Sequence, residues 1–125
     1  MKHLLLAILF LLNISAFAQI NCGHFKTGTF GYTDPYFKDT VITRTENTQT
    51  ESDLRTGLII SGTIEWISDC TYILTCTAIN DEMYDGMIGQ KFTNTITISD
   101  EEKYTCISAS EGYKMKMEVI RIAPQ

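Results

Sequence analysis

Histidine is nearly missing: the chain has two, and only His24 lies beyond residue 18. A serine, threonine or cysteine nucleophile needs a positioned base. With one histidine, no serine elbow and no activated cysteine context, the expectation is a protein that is not an enzyme. Basic residues are also short, with ten Lys and Arg against fifteen Asp and Glu and a formal charge of −5. Phosphate backbones repel such a surface, so no nucleic acid is expected as partner and the charge reads as plain solubility. Close cysteine pairs of the C-x2-C kind are absent, which leaves zinc without a ligand set, and no metal or cofactor is expected. The stretch holding Asn80, Asp81, Glu82 and Asp85 lacks the alternating run and closing glutamate of an EF-hand and reads as a solvated acidic loop. No long apolar run follows residue 18.

What is there begins with a leader. Lys2 and His3 give a basic start, residues 4–12 are continuously apolar, and Ala16-Phe17-Ala18 offers a small-x-small cleavage site. Residues 1–18 therefore read as a signal peptide, with the mature chain starting at Gln19 and residing in the periplasm or outside the cell. The apolar run is too short to span a hydrocarbon core of roughly 30 Å, so no membrane anchor is expected. Gln19-Ile20-Asn21 also lacks the small residue that precedes a lipidated cysteine, which argues against a lipid on Cys22. Residues 19–125 suffice for a single domain with one core.

All four cysteines, Cys22, Cys70, Cys76 and Cys106, follow the leader, where an oxidising compartment lets disulfides persist. Three complete pairings exist. Cys70 and Cys76 read as one strand and would lie about 20 Å apart, too far for a bridge that needs Cα atoms within about 7 Å.

Beyond His24 the sequence is a series of short segments rich in Thr, Ile, Tyr and Phe, separated by turn formers. Strands are expected at 24–32, 38–46, 48–54, 58–67, 70–79, 90–99, 102–110 and 113–122, with no helix needed. Period-two alternation places Leu58, Ile60, Gly62, Ile64 and Trp66 on one face. It does the same for Phe92, Asn94, Ile96 and Ile98, and for Tyr113, Met115, Met117 and Val119. Connections such as Glu46-Asn47, Ser68-Asp69 and Glu111-Gly112 are too short for parallel crossovers, so sequence neighbours should pair antiparallel. The fold expected is all-β, an eight-stranded up-and-down meander closed as a small barrel, because closure removes the exposed edges. A two-layer sandwich of the same strands is the alternative.

In a meander the loops after the first, third, fifth and seventh strands gather at one rim, and they are the longer ones. Tyr36, Phe37, Tyr84 and Met87 are large side chains in those loops and are the candidate contacts for a ligand or partner. Asn94 points inward among apolar groups and is either a polar contact for an interior ligand or an internally satisfied amide. At the opposite end, Trp66 and Arg121 are expected as a structural pair, guanidinium over indole, plugging the floor. Cys22 and Cys70 lie at that end too and are the preferred disulfide. Cys76 and Cys106 sit at similar heights on strands five and seven. They could bridge only if the barrel were flattened, since strand six separates them.

Two resemblances add to this reading. Gly28-Thr29-Phe30 on the first strand, with Arg121 on the last, resembles the lipocalin and broader calycin pattern, in which a glycine-x-tryptophan strand packs on a late arginine. Here phenylalanine stands for the tryptophan, and the resemblance implies a ligand-binding barrel. The motifs FKTGTF at residues 25–30 and WISDCTY at residues 66–72 resemble those of a family of small exported bacterial β proteins with no assigned activity. Some of its members carry a topoisomerase IV label, which an acidic chain of this size contradicts.

The function expected is a barrel that binds a small apolar or amphipathic ligand. The alternative is a protein-interaction module or inhibitor that uses the loop-rich rim. A cavity lined by Leu58, Ile60, Phe92 and Met117 would favour the first, and a filled interior with exposed rim aromatics the second.

Overall fold

The structure, a computed structural model, describes residues 21–98 and 100–123. The leader, its cleavage site and Gln19 lie outside the described residues. Eight antiparallel strands follow one another: β1 (Gly28–Tyr32), β2 (Thr40–Arg44), β3 (Thr48–Asp53), β4 (Ile59–Trp66), β5 (Thr71–Ile79), β6 (Lys91–Ile98), β7 (Lys103–Ser110) and β8 (Tyr113–Ala123). Each pairs with its sequence neighbours, and β1 pairs with β8, so the sheet closes on itself as a barrel rather than splitting into a sandwich. Alternation sets the faces. Asn94 and Ile96 are buried between exposed Thr93, Thr95 and Thr97, and buried Gly62 and Ile64 alternate with exposed Thr63 and Glu65.

Closure needs local departures from a regular ladder. The β4–β5 register shifts between Ser61 and Gly62, and the β1–β8 register between Thr29 and Phe30. At Gly62 a β-carbon would sit 2.6 Å from the Thr75 carbonyl oxygen and 2.8 Å from Leu74 Cδ1, so only glycine lets β4 approach β5 this closely. Gly28, with φ +133°, turns the chain into β1 beneath Arg121, whose Nη1 occupies the space a side chain would take.

The first segment departs from the sequence expectation. Residues 24–27 are not strand; Cys22–Phe25 forms a short 3-10 helix that lies across the barrel end. A disulfide between Cys22 and Cys70, with Cα atoms 5.2 Å apart, ties it there. Closing a loop of 48 residues contributes up to about 4 kcal/mol in the chain-entropy account. Phe25 is completely buried, with its ring 4.9 Å from that of Tyr104 and 6.4 Å from that of Phe30. This helix is the floor, and Phe30, Ile42, Ile64, Tyr72, Ile96 and Val119 pack above it as the core. Two further short 3-10 helices, Pro35–Phe37 and Glu82–Met87, stand in rim loops where no helix was expected. In each the preceding aspartate, Asp34 or Asp81, accepts a backbone N–H.

Two pairings expected from strand parity are corrected. Arg121 does not cover Trp66; β4 and β8 face each other across the ring, and the floor helix stands between them. Arg121 instead lies 4.9 Å from the Phe30 ring and 5.6 Å from the Phe25 ring. It donates to the carbonyls of Thr27 and His24. Trp66 packs on Tyr72 at 4.7 Å and is covered by Lys26 Nζ at 5.1 Å. The second disulfide is absent: Cys76 and Cys106 are both free and buried. Cys76 donates its N–H to the carbonyl of Gln90, just before β6, whereas Cys106 pairs with Ile96, six residues further along. At about 3.3 Å per residue this puts the thiols roughly 20 Å apart along the barrel wall. Among the described residues no helix is long and apolar enough to cross a membrane.

Candidate functional site

Inward side chains meet at the floor but diverge above it, leaving a cavity of about 450 Å3 within the barrel. Its walls follow from parity. β5 contributes Leu74, β6 Phe92, β8 Met115, Met117 and Val119, and β4 Ile60, which together make the lining mainly apolar. Leu58, expected among them, is not part of the lining. It precedes β4, in the tight turn where its carbonyl accepts the Asp53 N–H.

The lower cavity is polar. Arg44 ends β2 on the same face as Ile42 and is 3% exposed. Its Nε donates to Gln49 Oε1 at 2.9 Å, Nη1 to the Phe25 carbonyl at 2.9 Å, and Nη2 to the hydroxyls of Tyr104 at 2.8 Å and Tyr72 at 3.3 Å. The guanidinium also lies 4.8 Å from the Phe30 ring. Each of these partners is neutral. Gln49 is opposite Arg44 on β3, and Glu51, two residues nearer the rim, accepts from Tyr32 at 2.9 Å and from Gln49 Nε2 at 3.3 Å. Tyr32, Glu51, Gln49, Arg44, Tyr72 and Tyr104 thus form one connected network across five strands.

Electrostatics follow burial. Burial opposes the Arg44 charge, but the oxygens of Tyr72 and Tyr104 outweigh it and hold the guanidinium's pKa above its ordinary value. Burial also raises the pKa of Tyr72 and Tyr104, so both hydroxyls keep their protons. Glu51 is raised, chiefly by burial, against the hydrogen bonds and the Arg44 charge that favour its ionised form. Burial pushes the Cys106 thiol up to about 11, which leaves it a neutral lining group rather than a nucleophile.

The candidates named from the sequence divide into two groups. Met87 and Asn94 line the cavity. Asn94 is internally satisfied: Nδ2 donates to the Phe92 carbonyl at 3.1 Å, and Oδ1 receives the Cys106 thiol at 3.6 Å. Tyr36, Phe37 and Tyr84 lie on the rim outside the lining. Tyr36 is 86% exposed, Phe37 is half-buried with its ring 5.6 Å from that of Tyr32, and Tyr84 is exposed. Around them Leu54, Met83, Ile88 and Tyr113 are exposed as well, giving the mouth an apolar border.

Arg44, Gln49, Glu51, Tyr72 and Tyr104 were not anticipated. Their signal is the same alternation: Arg44 is two residues after Ile42, Tyr72 two before Leu74, and Tyr104 two before Cys106. An arginine beside a hairpin, however, looks like a solvated turn residue until a ring closes around it. Among the described residues no group of three or more His, Cys, Asp or Glu is placed to hold a metal ion. No family model, curated protein or solved structure matches the chain.

Proposed function

We propose that this protein is an exported carrier or sensor that binds one small amphipathic molecule inside its barrel and acts by binding rather than by catalysis. The observation that supports this reading is the cavity of about 450 Å3, which lies within the range of small-molecule sites, with apolar walls and a few converging polar groups. Export is supported by the leader-like residues 1–18 and by the Cys22–Cys70 disulfide, which persists in oxidising compartments. Native mass spectrometry of protein purified from its own host tests the reading. A co-purifying mass of a few hundred daltons that leaves on denaturation is the expected result, and a chain that stays unliganded when offered lipid extract from that host would refute it.

The apolar rim favours a second reading, a module that docks a protein through Tyr36, Leu54, Met83 and Tyr84. In that case the same spectra would show a protein partner whose binding is lost in Tyr36→Ser with Met83→Ser, and the cavity would stay empty.

A further inference from the structure

We infer that the occupant of the cavity is an anionic amphiphile, an acyl chain ending in a carboxylate or a comparable acid, with its head seated on Arg44 and the Tyr104 and Tyr72 hydroxyls and its chain rising toward the rim. The inference rests on the reading of the barrel as a small-molecule binder and specifies the ligand class. Of the cavity-lining residues among those described, Arg44 is the only base and Glu51 the only acid. Arg44 carries its charge in a nearly dry site with neutral acceptors for partners: Gln49, the Phe25 carbonyl, Tyr72 and Tyr104. These neutral oxygens offset the cost of burying the guanidinium, but none of them supplies the full negative charge that an incoming carboxylate would bring.

Geometry adds to the charge argument. The Tyr104 hydroxyl accepts from Arg44 Nη2, so its own proton remains to be given to an acceptor. Glu51 feels the Arg44 charge through space, but its hydrogen bonds go elsewhere. Its Oε1 already receives Tyr32 and Gln49, and its hydrogen-bonded link to Arg44 runs through Gln49. The Tyr72 hydroxyl, at 3.5 Å from Gln49 Oε1, is weakly engaged and can turn to a second acceptor. Above this cluster, Leu74, Phe92, Met115 and Met117 make the walls mainly apolar, which suits a chain, while Ser108, Gln90 and Tyr113 add polar atoms to the lining. A charge-assisted pair combined with a hydroxyl donor is stronger than the hydrogen bonds a neutral head would make.

The test is a titration of the purified, delipidated protein with three ligands of equal chain length: dodecanoate, dodecanol and dodecylammonium. Dodecanoate should bind roughly ten- to hundredfold more tightly than dodecanol, with dodecylammonium weakest. Tyr104→Phe, which keeps the ring, should narrow the ratio of dodecanoate to dodecanol several-fold, and Arg44→Gln should remove it. Equal affinities for acid and alcohol in the unaltered protein would overturn the head-group assignment while leaving the binder reading intact. Tighter binding of the ammonium would do the same and would point to Glu51. Failure of all three to bind would overturn both.

Discussion

At the floor of the barrel the inward side chains touch one another, whereas beneath the rim they face empty space, although both halves are built from the same strands with the same alternation. The difference lies outside the strands. At the floor a disulfide holds the Cys22–Phe25 helix across the opening and drives Phe25 to complete burial. At the rim, among the described loop residues, only Met87 and Gln90 of the β5–β6 loop reach the cavity, while Tyr36 is 86% and Met83 81% exposed. The two inward arginines repeat the contrast. Arg121 and Arg44 both lie on the Phe30 ring, at 4.9 and 4.8 Å. Arg121 is locked by the carbonyls of Thr27 and His24, whereas Arg44 faces the cavity with hydroxyl partners. Whether a small barrel is solid or hollow is thus decided by what its terminal segments and loops insert.

The contrast can be broken most sharply at Phe25. Phe25→Ala should destabilise the protein by about 4 kcal/mol in denaturant unfolding, because it removes a ring from a filled site. Met115→Ala, on the cavity wall, should lose under about 1 kcal/mol, since it enlarges a space that already exists. Comparable losses would mean that the two halves do not differ. Next in size, replacing Cys22 and Cys70 together by serine should lose about 3 kcal/mol through release of the floor helix, measured in the same way.

The smallest effect concerns pH and sharpens the contrast from the hollow side. Burial raises the Glu51 pKa, so the folded state holds its proton where the unfolded chain has released it. Stability therefore falls as pH rises from the ordinary carboxylate value of 4.5 to the folded-state value. Glu51→Gln retains an oxygen acceptor for Tyr32 and should abolish that fall. The difference between the two unfolding curves across pH isolates this group from Asp53 and Asp100. Backbone hydrogen bonds lower the pKa of both aspartates and give the opposite slope.

Much of this architecture can be read in the residues. The barrel, its strand order, the Cys22–Cys70 bridge and the inward turn of Asn94 all follow from period-two alternation and short connections, which are local properties. What resisted reading depends on closure. Strand parity alone seats Arg121 on Trp66, whereas pairing of β8 with β1 puts it over the Phe30 ring. Cys76 and Cys106 looked level until the register set Cys76 beside Gln90 and Cys106 beside Ile96. Arg44 drew no attention because only three-dimensional closure brings Tyr72 and Tyr104, from β5 and β7, onto a residue of β2.

The hollow upper half is tested most directly by filling it. A dodecanoate titration of Met117→Trp beside the unaltered protein should show one molecule bound per chain in the latter and none in the former, with the variant still folded and unfolding near the same temperature. If the indole instead destabilises the chain by the 1–3 kcal/mol typical of overpacking, the space is not there, and if dodecanoate binding is unchanged, the ligand does not sit in it; either result contradicts a hollow, ligand-holding upper half.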